Sequence, residues 1–165
     1  TPQLEVQRQV YWRNSAPVAN GQGIELILSI QTSSLDSRPS VDVTSTVPMD
    51  ECWRWSTDAS KPERLSPDGW ETTGEHALLL FRNKNWSFSY AEMVFPSDLA
   101  RVRTVRCSEN PDHVLVTHSL RIERLEKGVI RRARMLGIFV SRDTGVELGR
   151  ETRRIFTAEV PPLTT

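Results

Sequence analysis

Through most of the chain, apolar residues recur at every second position. The pattern runs longest from His113 to Val140, where Val114, Val116, Leu120 and Ile122 share one phase and Val129, Ala133, Met135 and Phe139 share another. A period of two is that of a half-buried strand, because successive side chains leave a strand on opposite faces. Glu126, Lys127 and Gly128 separate the two arms, and Gly128 is free to adopt positive φ. The stretch therefore predicts two long strands closed into a hairpin, with Arg131, Arg132 and Arg134 on the returning arm facing Arg121 and Arg124.

The same period marks a strand over roughly residues 3 to 13, carrying Leu4, Val6, Val10, Tyr11 and Trp12, and another over 24 to 32. Val41, Val43 and Val47 form a short strand that Pro48 limits. Cys52 and Arg54 on one face and Trp53 and Trp55 on the other make a further one. The run Ala77 to Phe81 is apolar without a break, which suits a strand buried on both faces. After the polar turn that follows it, Trp86, Phe88 and Tyr90 lie two apart and predict a hairpin with one aromatic face. Val102 and Thr104 alternate with Arg101, Arg103 and Arg106, and Ile155 with Phe156 marks a last strand over 151 to 159. Between Asp58 and Thr73 the pattern lapses. Pro62, Pro67 and Gly69 predict a surface loop there, pinned by Leu65 and Trp70, with room for one helical turn at 62 to 65.

Nine or ten strands and no convincing helix indicate an all-β fold. With one face of each strand to hide and no helices to hide it, the expected architecture is an antiparallel β-sandwich of jelly-roll or immunoglobulin-like topology, with a closed barrel as the alternative. A chain of 165 residues buries an adequate core as one domain spanning 1–165. It begins at Thr1 and carries no signal peptide pattern, and is read as a processed protein or a domain cut from a longer one. No run approaches the roughly 18 apolar residues of a membrane helix. The compartment stays open. Cys52 and Cys107 fit two unpaired buried thiols or one long-range disulfide.

Net charge is zero but unevenly placed. Residues 1–100 hold 8 basic and 13 acidic groups, and residues 101–154 hold 13 basic and 7 acidic ones. Arg131, Arg132 and Arg134 lie in the basic part. Either the two parts neutralise each other on packing, or the second presents a docking face to a protein, nucleic acid or another polyanion.

Candidate chemistry is sparse. His76, His113 and His118 have no metal-ligand spacing, no catalytic nucleophile motif accompanies them, and no phosphate-binding glycine loop is present, so neither a metal nor a cofactor is expected. Aromatic residues are the better lead. Of the five tryptophans, Trp70 in the long loop with Trp53 or Trp55 would make a platform, and Arg64 and Asp68 would supply polar contacts. Three functions follow in order: a non-enzymatic binding or structural module engaging a protein partner or the rest of a parent polypeptide, a carbohydrate-binding module using exposed tryptophans, and a β-scaffold hydrolase. The last requires two of His76, His113, His118, Asp68, Glu71 and Glu75 to converge in one cleft.

Overall fold

The computed structural model describes residues 6–15, 21–56, 61–66, 69–73, 76–143 and 145–158. Among them the chain forms β1 (Val6–Ser15), β2 (Gln22–Thr32), β3 (Asp36–Ser37), β4 (Asp42–Pro48), β5 (Glu51–Ser56), β6 (Glu63–Leu65) and β7 (Trp70–Thr73). There follow β8 (His76–Arg82), β9 (Phe88–Val94), β10 (Leu99–Arg106), β11 (His113–Leu120), β12 (Leu125–Glu126), β13 (Ile130–Ser141) and helix α1 (Gly145–Ala158). Every strand pairing is antiparallel. A seven-stranded sheet runs β1-β2-β13-β9-β8-β5-β6, a four-stranded sheet runs β4-β11-β10-β7, and β12 pairs with β3. Among the described residues the fold is thus all-β, with antiparallel sheets packed on each other, one α-helix and a single 3-10 turn at Pro96–Asp98.

Strand phase decides which residues meet. Leu26, Leu28 and Ile30 of β2, Ala133 and Met135 of β13, and Val94 of β9 pack against Val41, Leu99 and Leu120 of the smaller sheet and its approaches. Further along the same interface, Leu79 and Phe81 of β8 and Cys52 of β5 meet Val47, Val102, Val114 and Val116. The opposite face of the wide sheet presents Trp55, Leu78, Leu80, Ala91, Met93, Leu136, Ile138 and Val140, and Phe156 of α1 caps it. β8 is therefore buried on both faces, as its unbroken apolar run implies. The turn at 83 to 86 returns β8 onto β9 in the expected hairpin.

Three expectations are corrected. The arms on either side of Gly128 do not pair: β11 lies in the four-stranded sheet and β13 in the seven-stranded one, and residues 121–129 carry the chain between them. Leu125, fully buried, pins this crossing, and Gly128 does take positive φ, at 81°. Arg131, Arg132 and Arg134 consequently oppose Ile30, Ser29 and Ile27 of β2, not Arg121 and Arg124. Residues 151–158 belong to a helix and not to a strand, and within them Thr152 and Phe156 are buried one turn apart. The stretch 62 to 65 holds strand β6 in place of a helical turn, and the supposed loop contains β6 and β7, although Leu65 and Trp70 do pin it to the core. Both cysteines are free thiols.

Candidate functional site

The wide sheet extends past the small one. β1, its outermost strand, has eight of ten residues exposed. The overhang leaves a groove of about 340 Å³ between edge strand β4 and the inward face of β1, β2, β13 and β9. Trp12, Ile24 and Leu26 form one wall, Val43 and Val47 the other, and Trp86 and Phe139 stand near them. Trp12 is 69% exposed and Phe139 45%, so these large apolar groups border open space. Phe139 joins a run of aromatic contacts, edge-on to Phe88 at 5.4 Å between centroids and 5.2 Å from Tyr90; Trp86 stacks on Phe88 at 4.7 Å. Among the described residues, the lining carries no cationic side chain.

Tyr90 and Ser45, which also line the groove, connect it to a buried carboxylate. Glu92 follows Tyr90 by two residues and shares its inward phase, and it is wholly buried. Ser45 Oγ donates to Glu92 Oε2 at 2.8 Å and lies 3.1 Å from Oε1, while the Tyr90 hydroxyl donates to Oε2 at 3.1 Å. His118 Nε2 lies 2.9 Å from Oε1. His118 is itself 2% exposed and shares the inward phase of Val114 and Val116 on β11; its Nδ1 meets no hydrogen-bond partner among the described residues. Three partners around one carboxylate are what a buried charge requires. Gly137, opposite Glu92 on β13, makes the arrangement possible, since a Cβ there would lie 2.9 Å from the Tyr90 hydroxyl oxygen. Burial, and then the Glu92 carboxylate, push both the Tyr90 phenol and the Cys52 thiol well above their usual ranges. Cys52 is accordingly a poor nucleophile.

A second polar cluster lies on the other face of the wide sheet. Glu25 of β2 accepts from Arg134 Nε and, through its other oxygen, from Arg13 Nε of β1. Arg134 is 2% exposed, with its guanidinium 4.7 Å from the Phe156 ring centroid and 5.6 Å from that of Phe95. Its backbone N–H donates to Asp98 Oδ2 at 3.1 Å. This cluster ties β1, β2, β13 and the helix together.

The residues nominated from sequence are dispersed. Trp55 is 1% exposed and fills the core beneath α1. Trp53 packs beside it with the Arg82 guanidinium over its ring at 4.8 Å. Trp70 packs between the sheets, on the other side of β5, with the Arg54 guanidinium 5.7 Å from its ring. The three indoles therefore lie on both faces of the wide sheet, and arginine occupies a face of the two outer ones. Arg64 is exposed and pairs with Glu51 at 3.0 Å; Asp68 lies outside the described residues. Arg131 is exposed and Arg132 half-buried on opposite faces of β13, so with buried Arg134 they make no single stripe. Of the six residues from which a hydrolytic cleft needs two, Glu71 is exposed and pairs with Arg101. Asp68, Glu75 and the His76 side chain lie outside the described residues, and His118 meets a carboxylate, Glu92, that was not among the six. Ser45 contacts Glu92 and not an imidazole, so the cluster lacks the order of a serine triad. Among the described residues no group of three or more potential ligands is placed to hold a metal, and no helix is long and apolar enough to cross a membrane. Compared with protein families and curated proteins, the chain matches no family model and no curated sequence.

Proposed function

We propose that this chain is a non-enzymatic binding module, built as an open β-sandwich, whose site is the groove between β4 and the overhanging face of β1, β2 and β13. The observation that carries the reading is the groove itself. Its volume falls in the range of small-molecule sites, its walls are apolar and aromatic, and a few convergent polar groups sit at one place, which is the usual composition of such a pocket. Large side chains such as Trp12 and Phe139 cost hydration free energy where they stand, and a ligand lying against them recovers it.

A second reading keeps a protein partner. Val10, Tyr11 and Trp12 stand exposed on β1, an edge strand of the wide sheet, and an extended segment of another chain would pair with that edge and cover them. Sugar stacking on Trp53 or Trp70 has less support, because arginine already occupies their rings.

Titration with the neutral apolar dye N-phenylnaphthylamine tests the first reading. Saturable dye fluorescence is expected, weakened by Trp12→Ala and by Phe139→Ala and unaffected by Val105→Ser on the outer face of the small sheet. Absence of saturable binding, or equal binding by all three variants, overturns it.

A further inference from the structure

Of the hydroxyl-bearing side chains that line the groove, Thr44, Ser45, Thr46 and Tyr90, two have their protons committed to a buried carboxylate. Ser45 Oγ and the Tyr90 hydroxyl each donate to Glu92, which lies behind them and is fully buried. A hydroxyl whose hydrogen is engaged retains acceptor lone pairs, so what it can offer a ligand is an acceptor. A donor to a carboxylate is also polarised by it, which strengthens its oxygen as an acceptor in a chain of hydrogen bonds. Among the described residues, no lysine, arginine or histidine lines the groove.

We infer that the groove selects a neutral, largely apolar molecule carrying one hydrogen-bond donor, a hydroxyl or an amide N–H, which it seats against the Ser45 and Tyr90 oxygens, and that it rejects the same apolar body bearing a carboxylate. This rests on the groove being the binding site. An alcohol donates to the Tyr90 or Ser45 oxygen and extends the hydrogen-bond chain to Glu92 without disturbing it. A carboxylate at the same place has no proton to give, faces two oxygens with engaged hydrogens, and meets a like charge behind them. A purely apolar body leaves the two acceptors covered and unsatisfied. Gly137 belongs to the same device, since only a residue without Cβ lets the Tyr90 hydroxyl lie across β13 on its way to Glu92.

The experiment compares decanol with decanoate, which share a chain and differ in head group, by displacement of N-phenylnaphthylamine from the intact chain. Decanol is expected to bind about tenfold tighter or more, the ratio that corresponds to one well-placed hydrogen bond beside a charge. Tyr90→Phe keeps the ring and the groove wall while removing one oxygen, and Ser45→Ala removes the other. In each variant the preference for decanol over decanoate shrinks several-fold, whereas Val105→Ser leaves it unchanged. Dye binding with equal affinity for the two amphiphiles, or with decanoate preferred, overturns the head-group inference and leaves the groove reading standing. Preference unchanged in both variants overturns the assignment to Ser45 and Tyr90. Failure of dye and both amphiphiles to bind removes the groove reading, and this inference with it.

Discussion

Replacing Glu25 by leucine provides a quantitative test of how the wide sheet is held together. Glu25 and Arg134 are both almost wholly buried, and the carboxylate serves Arg134 of β13 and Arg13 of β1 at once. Glu25→Leu keeps the site filled but strips a buried guanidinium of its carboxylate on β2. Removing one partner of a buried pair costs about 3–5 kcal/mol, because the remaining charge stays out of water. For a chain of this length that corresponds to a fall in Tm of roughly 6–20 °C. Arg13 is nearly half exposed, so Arg13→Gln loses at most about 1 kcal/mol after solvent screening. The double variant Glu25→Leu with Arg134→Met replaces the pair by apolar groups. It is expected to recover most of the loss, since a well-packed hydrophobic substitute is commonly neutral or stabilising by about 1–4 kcal/mol. Asp98 keeps its hydrogen bond from the backbone N–H of residue 134 in that variant. Thermal unfolding followed by far-ultraviolet circular dichroism, checked by urea denaturation, reads all four proteins. A Glu25→Leu midpoint equal to the unsubstituted protein, or a double variant less stable than the single one, refutes the reasoning.

Two further outcomes are expected. Phe156→Ala should cost about 3–5 kcal/mol, because it empties the contact between α1 and the wide sheet, whereas Arg154→Ala on the solvent side of the helix should leave the urea midpoint unchanged; equal effects would contradict the helix. Burial raises the Asp98 carboxyl above its usual range against the opposing hydrogen bonds from Arg134 and Ser97. The native state therefore holds this proton more tightly than the unfolded chain does, and the stability it lends below the ordinary carboxyl range is lost as pH rises through the raised value. Asp98→Asn should accordingly gain in Tm relative to the unsubstituted protein as pH increases from about 4 toward neutrality, and a difference constant with pH would count against a raised carboxyl.

Strand existence and strand phase were legible because alternation is a property of each strand alone. Val114 and Val116 point inward as their spacing implies, and Leu78 to Phe81 face both ways. Pairing was not legible to the same degree. A period of two fixes which face a residue takes and says nothing about which strand lies beside it, so β11 and β13 read as one hairpin although they belong to different sheets. The contrary signal was local: Leu125 follows Ile122 by three, out of the strand period, and it is the residue that pins the crossing. Helix α1 was concealed in a similar way. Within residues 151–158 the positions buried one turn apart are Thr152 and Phe156, and a threonine does not register as half of an apolar stripe, whereas the adjacent Ile155 and Phe156 resemble a strand.

The candidate site follows from the same distinction between phase and composition. Tryptophans attract notice by size, yet size predicts burial as readily as recognition: Trp55 lies in the core, while Trp12, which its spacing marks only as a strand residue, is exposed beside the groove. The informative residues were the ones that break the pattern from within it. Glu92 sits on the aromatic face of β9 at the spacing of Phe88 and Tyr90, His118 sits in phase with Val116 and Leu120, and Gly137 interrupts the longest strand at the position opposite Glu92. A carboxylate in a core phase costs several kcal/mol unless donors surround it, and a glycine in mid-strand forfeits packing unless something must pass over it. The two costs share one explanation here, because the Tyr90 hydroxyl passes over Gly137 to reach Glu92. An apolar core would be served as well by a leucine at 92 and an alanine at 137. On the proposed reading, a groove that offers acceptors to a ligand would need the residues that are there.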